Sequence, residues 1–463
     1  MDAEASHAGG LSSVRGQNER PGRTALKRWA PLGIVVVALV LRLAVIAADG
    51  SYEPHNDAFE YDYIARSLAD GEGFPRSGYL LYGGPSAIRG PGYPLFLAGV
   101  YLVSGDSMDA GRVAGALLGA LAVWLLYLIV KRIWGLPTAL AAAALAAVFP
   151  PLVLLSRDLL SESLFIVLEL AAVLCVLNFR RAGGALRWAL ATGALCGLAA
   201  LTRNTAFALV VAIPVGLCLG NPLRRPGLLV APAVGLATAA LVVAPWTIRN
   251  AVEFHAFVPL TTSSGITSSG VYNETSYEQS WTHGAWRDPQ IVPEFEHLFK
   301  DPSLHEPEVD SQLRHAARDF AWQHPAYVGK VFGWNLLRLF EIEGGSVVDS
   351  DGSVLDQRGI GSADPLSERI GLALAGLFAI AGIVALVRSR RDDDPRRRIP
   401  RGPLFFWLIP VLTILVTALI NGLPRDRIPT DPFLLTLTAI GLVWIGTAVA
   451  TRRTASAGRG VIA

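Results

Sequence analysis

Residues 31–63 read PLGIVVVALV LRLAVIAADG SYEPHNDAFE YDY, a membrane-length apolar run from Pro31 to Ala48 followed by an acidic and aromatic stretch from Asn56 to Tyr63. An anchor with carboxylates at its exit sets the chain up for chemistry at a membrane surface. The first run also reads as a signal peptide, since Val45-Ile46-Ala47 satisfies a small-residue cleavage rule. Its 18-residue length and the embedded Arg42 favour a retained anchor.

The rest of the chain repeats the apolar theme. It is 52% hydrophobic and 17% charged, with the apolar residues in blocks separated by charged segments. That is the composition of an all-α polytopic membrane protein. Ten runs are long enough to cross a bilayer as helices, at about 31–49, 110–130, 136–154, 160–178, 186–201, 204–220, 227–245, 366–387, 403–421 and 431–450. Thr202-Arg203-Asn204 leaves only a minimal turn between the fifth and the sixth. With a cytoplasmic amino terminus, the inside segments carry Arg15, Arg20, Arg23, Lys27 and Arg28, then Lys131 and Arg132, then Arg180, Arg181 and Arg187. They continue with Arg224 and Arg225, the run from Arg388 to Arg401, and Arg452, Arg453 and Arg459. Every short inside loop is then basic, as the positive-inside rule requires, and both termini are expected in the cytoplasm. Counting the apolar residues 91–104 as a further span would reverse every later loop, so they are expected in the interface or in a re-entrant turn.

The expected organisation is a disordered cytoplasmic segment at 1–30 and an N-terminal transmembrane catalytic module at 31–250 that includes an extracytoplasmic loop at 50–109. A large extracytoplasmic loop with interfacial helices follows at 251–365, then C-terminal transmembrane helices at 366–450 and a cytoplasmic tail at 451–463. The first loop has a helix-like core, Ala58 to Ala69, ended by Gly71-Glu72-Gly73. In the second, an amphipathic helix is expected near Asp310 to Trp322, broken at His324-Pro325 and resumed to about Phe340. Trp322, Phe332 and Trp334 beside Lys330 and Arg338 suit a helix lying on lipid headgroups. Gly115 and Gly119 read as close helix packing. Cys175, Cys196 and Cys218 fall inside apolar runs and read as small buried hydrophobes.

This register gathers the chemically interesting residues on one side: Asp57, Glu60, Asp62, Arg89, Arg157, Asp158, Glu162, Arg203, Arg249, Arg425, Asp426 and Arg427. Ionisable groups at the ends of spans need partners, so a cluster of both signs on one face is a candidate site; interhelical ion pairs that merely hold the bundle are the bland alternative. No nucleotide-binding loop appears, which argues against a soluble nucleotide ligand, and no nucleic-acid partner is expected. A divalent metal is the one cofactor left open. His55 with Asp57, and His283 or His305 from the long loop, could contribute ligands, but there is no dense spacing such as H-E-x-x-H.

Asp57-Ala58-Phe59-Glu60-Tyr61-Asp62-Tyr63-Ile64-Ala65-Arg66-Ser67-Leu68, with Gly71-Glu72-Gly73-Phe74, resembles the first periplasmic loop of the GT-C glycosyltransferases. The resemblance is to the branch with the protein O-mannosyltransferases and the lipid A aminoarabinose transferase, often called family 39. Later segments fit in the same order: Arg89-Gly90-Pro91-Gly92-Tyr93-Pro94, Arg157 to Phe165, Thr202-Arg203-Asn204, Pro245 to Asn250, and Arg425-Asp426-Arg427-Ile428-Pro429.

The resemblance implies a GT-C helical bundle that moves a sugar from a polyprenyl-phosphate donor to an acceptor at the outer face of the cytoplasmic membrane. Asp57 matches the family's catalytic aspartate and is expected to act as general base on an acceptor hydroxyl. Asp158 or Glu162, four apart and expected on one helical face, could stabilise the oxocarbenium-like transition state. Arg89 and Arg427 match basic positions of the family, and Arg203 and Arg249 are further candidates to bind the donor phosphate, because guanidinium groups can hold phosphate oxygens bidentately. The acceptor is expected to be a protein, a polysaccharide or a lipid. The competing reading is a polytopic transporter or lipid flippase of the envelope, which would usually show mid-membrane charges and repeat symmetry. No internal repeat is visible.

Overall fold

In lipid a backbone must satisfy its own hydrogen bonds, so each apolar run has to fold as a helix. The computed structural model describes residues 21–76, 84–219, 228–348, 353–356, 365–391 and 398–459, and all ten runs are helical there. In chain order the elements are α1 (Pro21–Ala48), α2 (Asp57–Ala69), α3 (Gly92–Ser104), α4 (Met108–Trp134), α5 (Leu136–Val148) and α6 (Pro150–Leu154). After them come α7 (Glu162–Arg181), α8 (Leu186–Thr202), α9 (Phe207–Leu219) and α10 (Val230–Phe254). The second large loop region holds α11 (Ser264–Ser269), α12 (Glu274–Glu278), α13 (Glu296–Lys300), α14 (Glu306–Gln323) and α15 (Pro325–Leu339). The chain ends on α16 (Pro365–Arg388), α17 (Leu404–Ile420) and α18 (Asp431–Arg459).

Six helices among the described residues are long and apolar enough to cross a membrane unaided, and a seventh if α5 and α6, bent by 57° at their junction, count as one. The remaining three expected spans, α8, α9 and α17, are shorter; 17 residues of helix rise only about 25 Å. Helix α1 starts at Pro21, so Pro21–Ala30 is helical where disorder was expected. The basic positions Arg15, Arg20, Arg224 and Arg225 lie outside the described residues.

Helix α7 lies at the centre, and two thirds of its most apolar window is buried. Small residues let its neighbours pair closely. A Cβ on Gly193 would sit 2.2 Å from the Gly235 carbonyl, joining α8 to α10, and one on Gly441 would sit 2.2 Å from the Phe378 carbonyl, joining α18 to α16. Gly119 is different, since its missing Cβ makes room for the side chain of Arg42 rather than for a backbone.

The bundle has two chemically distinct ends. Lys131 and Arg132 close α4, and Arg180 and Arg181 close α7, where cations complement the helix dipole. Trp134, Phe406 and Trp407 cluster at that end, as aromatic residues do at an interface. The opposite end carries the start of α4 and α7, the loop helix α2 and the second large loop region. Helix α3, 13 residues long, lies at this end against α2 and is too short to span.

The region between α10 and α16 is more than loops. Ile266, Val292, Leu298, Val309 and Leu313 form a small core that also takes in Ile88 of the loop before α3. Strand β1 (Trp286–Arg287) pairs in parallel with β2 (Gly345–Val348), which pairs antiparallel with β3 (Val354–Asp356). The broken amphipathic helix appears as α14 and α15, with the break at His324 before Pro325. Arg338 departs from its expected place on the headgroups. It is buried and donates to Asn335 Oδ1 at 2.8 Å and to the carbonyls of Thr282 and His283, both at 3.1 Å. A polar position on an amphipathic face need not meet water when backbone acceptors stand opposite it.

Candidate active site

Asp57 is the first residue of α2, preceded by Asn56 at φ 51° and ψ −124°, a positive-φ backbone outside the left-handed helical basin. Asp57 and Glu60 fall in the first turn, where the helix dipole favours anions. Opposite them, Arg89-Gly90-Pro91-Gly92 is pressed onto the end of α8. A Cβ on Gly90 would meet the Leu201 carbonyl at 2.4 Å, and one on Gly92 the Thr202 hydroxyl at 2.5 Å. Any side chain at either position would lift this loop and with it Arg89.

Arg89 bridges the two carboxylates, donating through Nη2 to Asp57 and through Nε to Glu60. The other Asp57 oxygen accepts from Arg425. Arg425 opens a 3₁₀ segment, Pro424–Thr430, whose short repeat aims successive side chains apart. Its neighbour Asp426 accepts from Arg203 Nη2 at 2.6 Å. Arg203 Nη1 lies 2.6 Å from Glu162 Oε1 and donates to Ser161 Oγ at 3.1 Å; that same oxygen accepts from the Tyr61 hydroxyl at 3.1 Å. The Arg203–Glu162 contact is ionic rather than a directed hydrogen bond. Both Glu162 oxygens are buried without a hydrogen-bond donor among the described residues.

Three arginines and four carboxylates thus form one network of two adjoining ion-pair groups, Asp57 and Glu60 with Arg89 and Arg425, and Glu162 and Asp426 with Arg203, built from α2, the 84–90 loop, the α8 end, the start of α7 and the 424–430 segment. Burial alone would raise the Asp57 pKa, but the guanidinium groups of Arg425 and Arg89 outweigh it and hold the carboxyl well below the usual range. Asp57 is ionised and, in this state, a weak base.

Asp158 stands beside the network. It is extended, at φ −123° and ψ 156°, and precedes α7, so it does not share a helical face with Glu162 as the spacing suggested. Its Oδ1 accepts from the Tyr52 hydroxyl and from the Leu159 amide at 3.0 Å. Burial pushes its pKa up, the Tyr52 and Leu159 bonds pull it back, and Arg425 and Glu162 are close enough to act on it as well.

Other candidates fall elsewhere. Arg249 donates to the Ser86 carbonyl at 3.3 Å and lies over the Trp246, Phe74 and Phe254 rings at 4.9 to 5.6 Å. Arg427 is held by Asp431 and by Glu341 at 3.3 Å, in a sealed pocket. Arg157 pairs with Asp49, which also holds Arg112 at 2.5 Å, a brace between α1 and α4. Asp62 accepts from Tyr101 at 2.5 Å and Arg66 at 2.8 Å and braces α2. Among the proposed metal ligands, His283 stacks on Trp334 at 3.9 Å, and no group of three or more His, Cys, Asp or Glu that could hold a metal occurs among the described residues. Asp57, the acid such a site would need, is already taken by two arginines.

Residues 88–248 match the model of the family described as dolichyl-phosphate-mannose-protein mannosyltransferase. The undecaprenyl phosphate-alpha-4-amino-4-deoxy-L-arabinose arabinosyl transferase 1 of Pseudomonas fluorescens (strain Pf0-1) is 29% identical over 248 residues, 49% of this chain and 40% of that protein. The archaeal oligosaccharyltransferase AglB of Archaeoglobus fulgidus, solved with an inhibitory peptide and a dolichol-phosphate, superposes at TM-score 0.54 and 15% identity. That match covers 94% of this chain and 52% of AglB, and the apo form gives the same values. The chain has the GT-C glycosyltransferase fold. It spans about half the length of AglB, and the aligned region is less than half of the arabinosyl transferase.

On the GT-C fold, Asp57, Arg89, Glu162 and Arg203 come together as their motifs implied, with Asp158 adjacent. The family match takes in Arg89, Asp158, Glu162 and Arg203, while Asp57 and Arg425 reach the same place from outside it. The sequence placed Arg425, Asp426 and Glu60 on the same side as Asp57 but gave none of them a role in the chemistry. Their signal was weak: Glu60, three residues after Asp57, faces the same way in the first turn of a helix.

Proposed function

We propose that this protein is a membrane glycosyltransferase that moves a sugar from a polyprenyl-phosphate donor to an acceptor hydroxyl, at the end of the bundle opposite the basic loops. That end would be the outer face of the membrane if those loops are cytoplasmic. The observation that carries the reading is the Asp57 carboxylate clamped between Arg89 and Arg425 on a GT-C fold.

The chemistry follows from the network. The acceptor oxygen attacks the anomeric carbon while the bond from that carbon to the phosphate oxygen breaks, and the electron pair leaves with the lipid phosphate. The acceptor's proton passes to Asp57. Arg89, Arg425 and Arg203 are the groups that would take up charge on the leaving phosphate, since fixed donors aimed at developing charge need no reorganisation. Each is already engaged with carboxylates, so an incoming phosphate competes with Asp57 for Arg89 and Arg425. Drawing those guanidinium groups away would raise the basicity of Asp57 when a donor is in place. Glu162, buried with Oε1 against Arg203 and Oε2 without a donor among the described residues, is suited to accept from a sugar hydroxyl through Oε2.

The test is direct. Purified wild type and Asp57→Asn are each supplied with polyprenyl-phosphate sugars and transfer is followed to a hydroxylated protein, polysaccharide or lipid acceptor. Turnover by wild type with loss in the variant is expected. Equal activity removes Asp57 from the mechanism, and no turnover with any lipid-linked sugar removes the assignment.

A further inference from the structure

Arg42 is buried in the middle of an apolar helix, and no carboxylate contacts it among the described residues. An intramembrane guanidinium is expensive and calls for a reason. Its partners are all carbonyls: Ala38 on its own helix at 2.9 Å, and Ala147 and Ala146 of α5, both at 3.4 Å. In a continuous helix the carbonyls of Ala146 and Ala147 would accept from the amides of residues 150 and 151. Those residues are Pro150 and Pro151, which have no amide hydrogen. The two carbonyls orphaned by the prolines are the two that Arg42 reaches.

The break at this point bends the chain by 57°. It leads through α6 directly to Arg157 and Asp158, and the chain leaving α1 meets that segment twice more. Just beyond the end of α1, Asp49 holds Arg157 and Tyr52 holds Asp158. Gly119 on α4 keeps the space open, because a Cβ there would lie 2.4 Å from Arg42 Nε. Arg42, Gly119, Ala146 and Ser156 also line a cavity of about 20 Å³, room for one water.

We propose that Arg42 is a positioning residue for the active site, supplying the donors that Pro150 and Pro151 lack and thereby fixing the break that delivers Asp158 to Tyr52. The claim about the site rests on the transferase reading above. The claim about the break does not.

A stability cycle tests the break on the full-length protein in detergent, with no need for turnover. The thermal midpoint is measured for wild type, Arg42→Met, the double variant Pro150→Ala/Pro151→Ala, and the triple variant. Arg42→Met should lower the midpoint clearly in the proline background and much less in the alanine background, where backbone amides can pair the carbonyls. Arg42→Lys, which keeps one donor group, should fall between wild type and Met. If Arg42→Met does not fold, recovery of folding in the triple variant supports the proposal. An equal loss in both backgrounds, or failure of both to fold, overturns it.

Kinetics test the positioning. Folded Arg42→Met should show kcat reduced by about tenfold to a hundredfold with donor KM within about twofold, since a small misplacement of a reacting group is costly. Partial recovery is expected with Lys. Unchanged kcat per folded molecule leaves Arg42 as a cap alone and overturns its positioning role. A wild type that transfers no sugar removes the transferase reading, and the stability cycle still decides whether Arg42 caps the break.

Discussion

Arg425 and Arg427 are two residues apart in one short 3₁₀ segment, yet they belong to different parts of the molecule. Arg425 clamps Asp57 in a network that opens to the surface at its two clamping arginines, 27% for the Arg425 side chain and 21% for Arg89, although Glu162 at its far side is 1% exposed. Arg427, 1% exposed, is locked against Asp431 and Glu341, exposed 0% and 1%. The residue types are the same. What separates them is access: an ion pair that a substrate can reach can be exchanged for a new partner, whereas a sealed pair can only hold the fold.

The largest effect expected from this contrast is on Asp57. Asp57→Asn should cut kcat by about 10²–10⁴, the usual worth of a general base, measured as sugar transfer from a lipid-phosphate donor. It should also lower the thermal midpoint at neutral pH, because Arg89 and Arg425 lose their shared counter-charge. The sign follows from the depressed Asp57 pKa. Its stabilising contribution is present above the unfolded carboxyl pKa and is lost as pH falls through the folded one, so the midpoints of wild type and variant should converge in acid. A constant gap across pH would place the stabilisation elsewhere.

Next comes the sealed pair. Arg427→Ala leaves Asp431 and Glu341 buried without their cation and should cost about 3–5 kcal/mol of stability, while transfer per folded molecule stays near wild type. Arg425→Ala should do the reverse, with transfer reduced by about tenfold to a hundredfold, as for loss of a charge-assisted hydrogen bond worth about 1.5–3 kcal/mol, and only a modest change in melting. Identical profiles for the two variants would dissolve the distinction between them. Arg89→Lys is intermediate. It keeps the charge but cannot bridge Asp57 and Glu60 with the same fork, so donor KM should rise more than kcat falls.

These two arginines also mark the limit of what the sequence reveals. Hydropathy located the apolar helices, six of them long enough to span unaided, because a block of apolar residues in lipid has one backbone solution. The order of the motifs and the basic loops then assembled Asp57, Arg89, Glu162 and Arg203 at one end. Direction within a short segment was not legible. Arg427 matched a family position while Arg425 reaches Asp57, and nothing in PRDRIPT tells which side chain turns inward without the helices it packs against. Asp158 was misread for a related reason: spacing of four implies a shared face only inside a helix, and the chain is extended there. Arg42 was visible only as an oddity in an anchor, because its partners are backbone carbonyls about a hundred residues away.

The smallest expected effect sharpens the role of Asp158, which sits at the edge of the open network without an arginine of its own. Burial raises its pKa and the Tyr52 hydroxyl holds it down, so Tyr52→Phe should let it rise further. A carboxyl whose folded pKa lies above its unfolded value adds stability below the unfolded pKa and loses that contribution as pH rises through the folded one. In Tyr52→Phe that window extends to higher pH, and any acid limb of kcat/KM set by Asp158 moves in the same direction. The maximal rate should change little, because Leu159 still donates to the carboxylate at 3.0 Å. A limb that stays put would show that Asp158 does not titrate in turnover, and a shift toward acid would mean that Tyr52 acts on some other group.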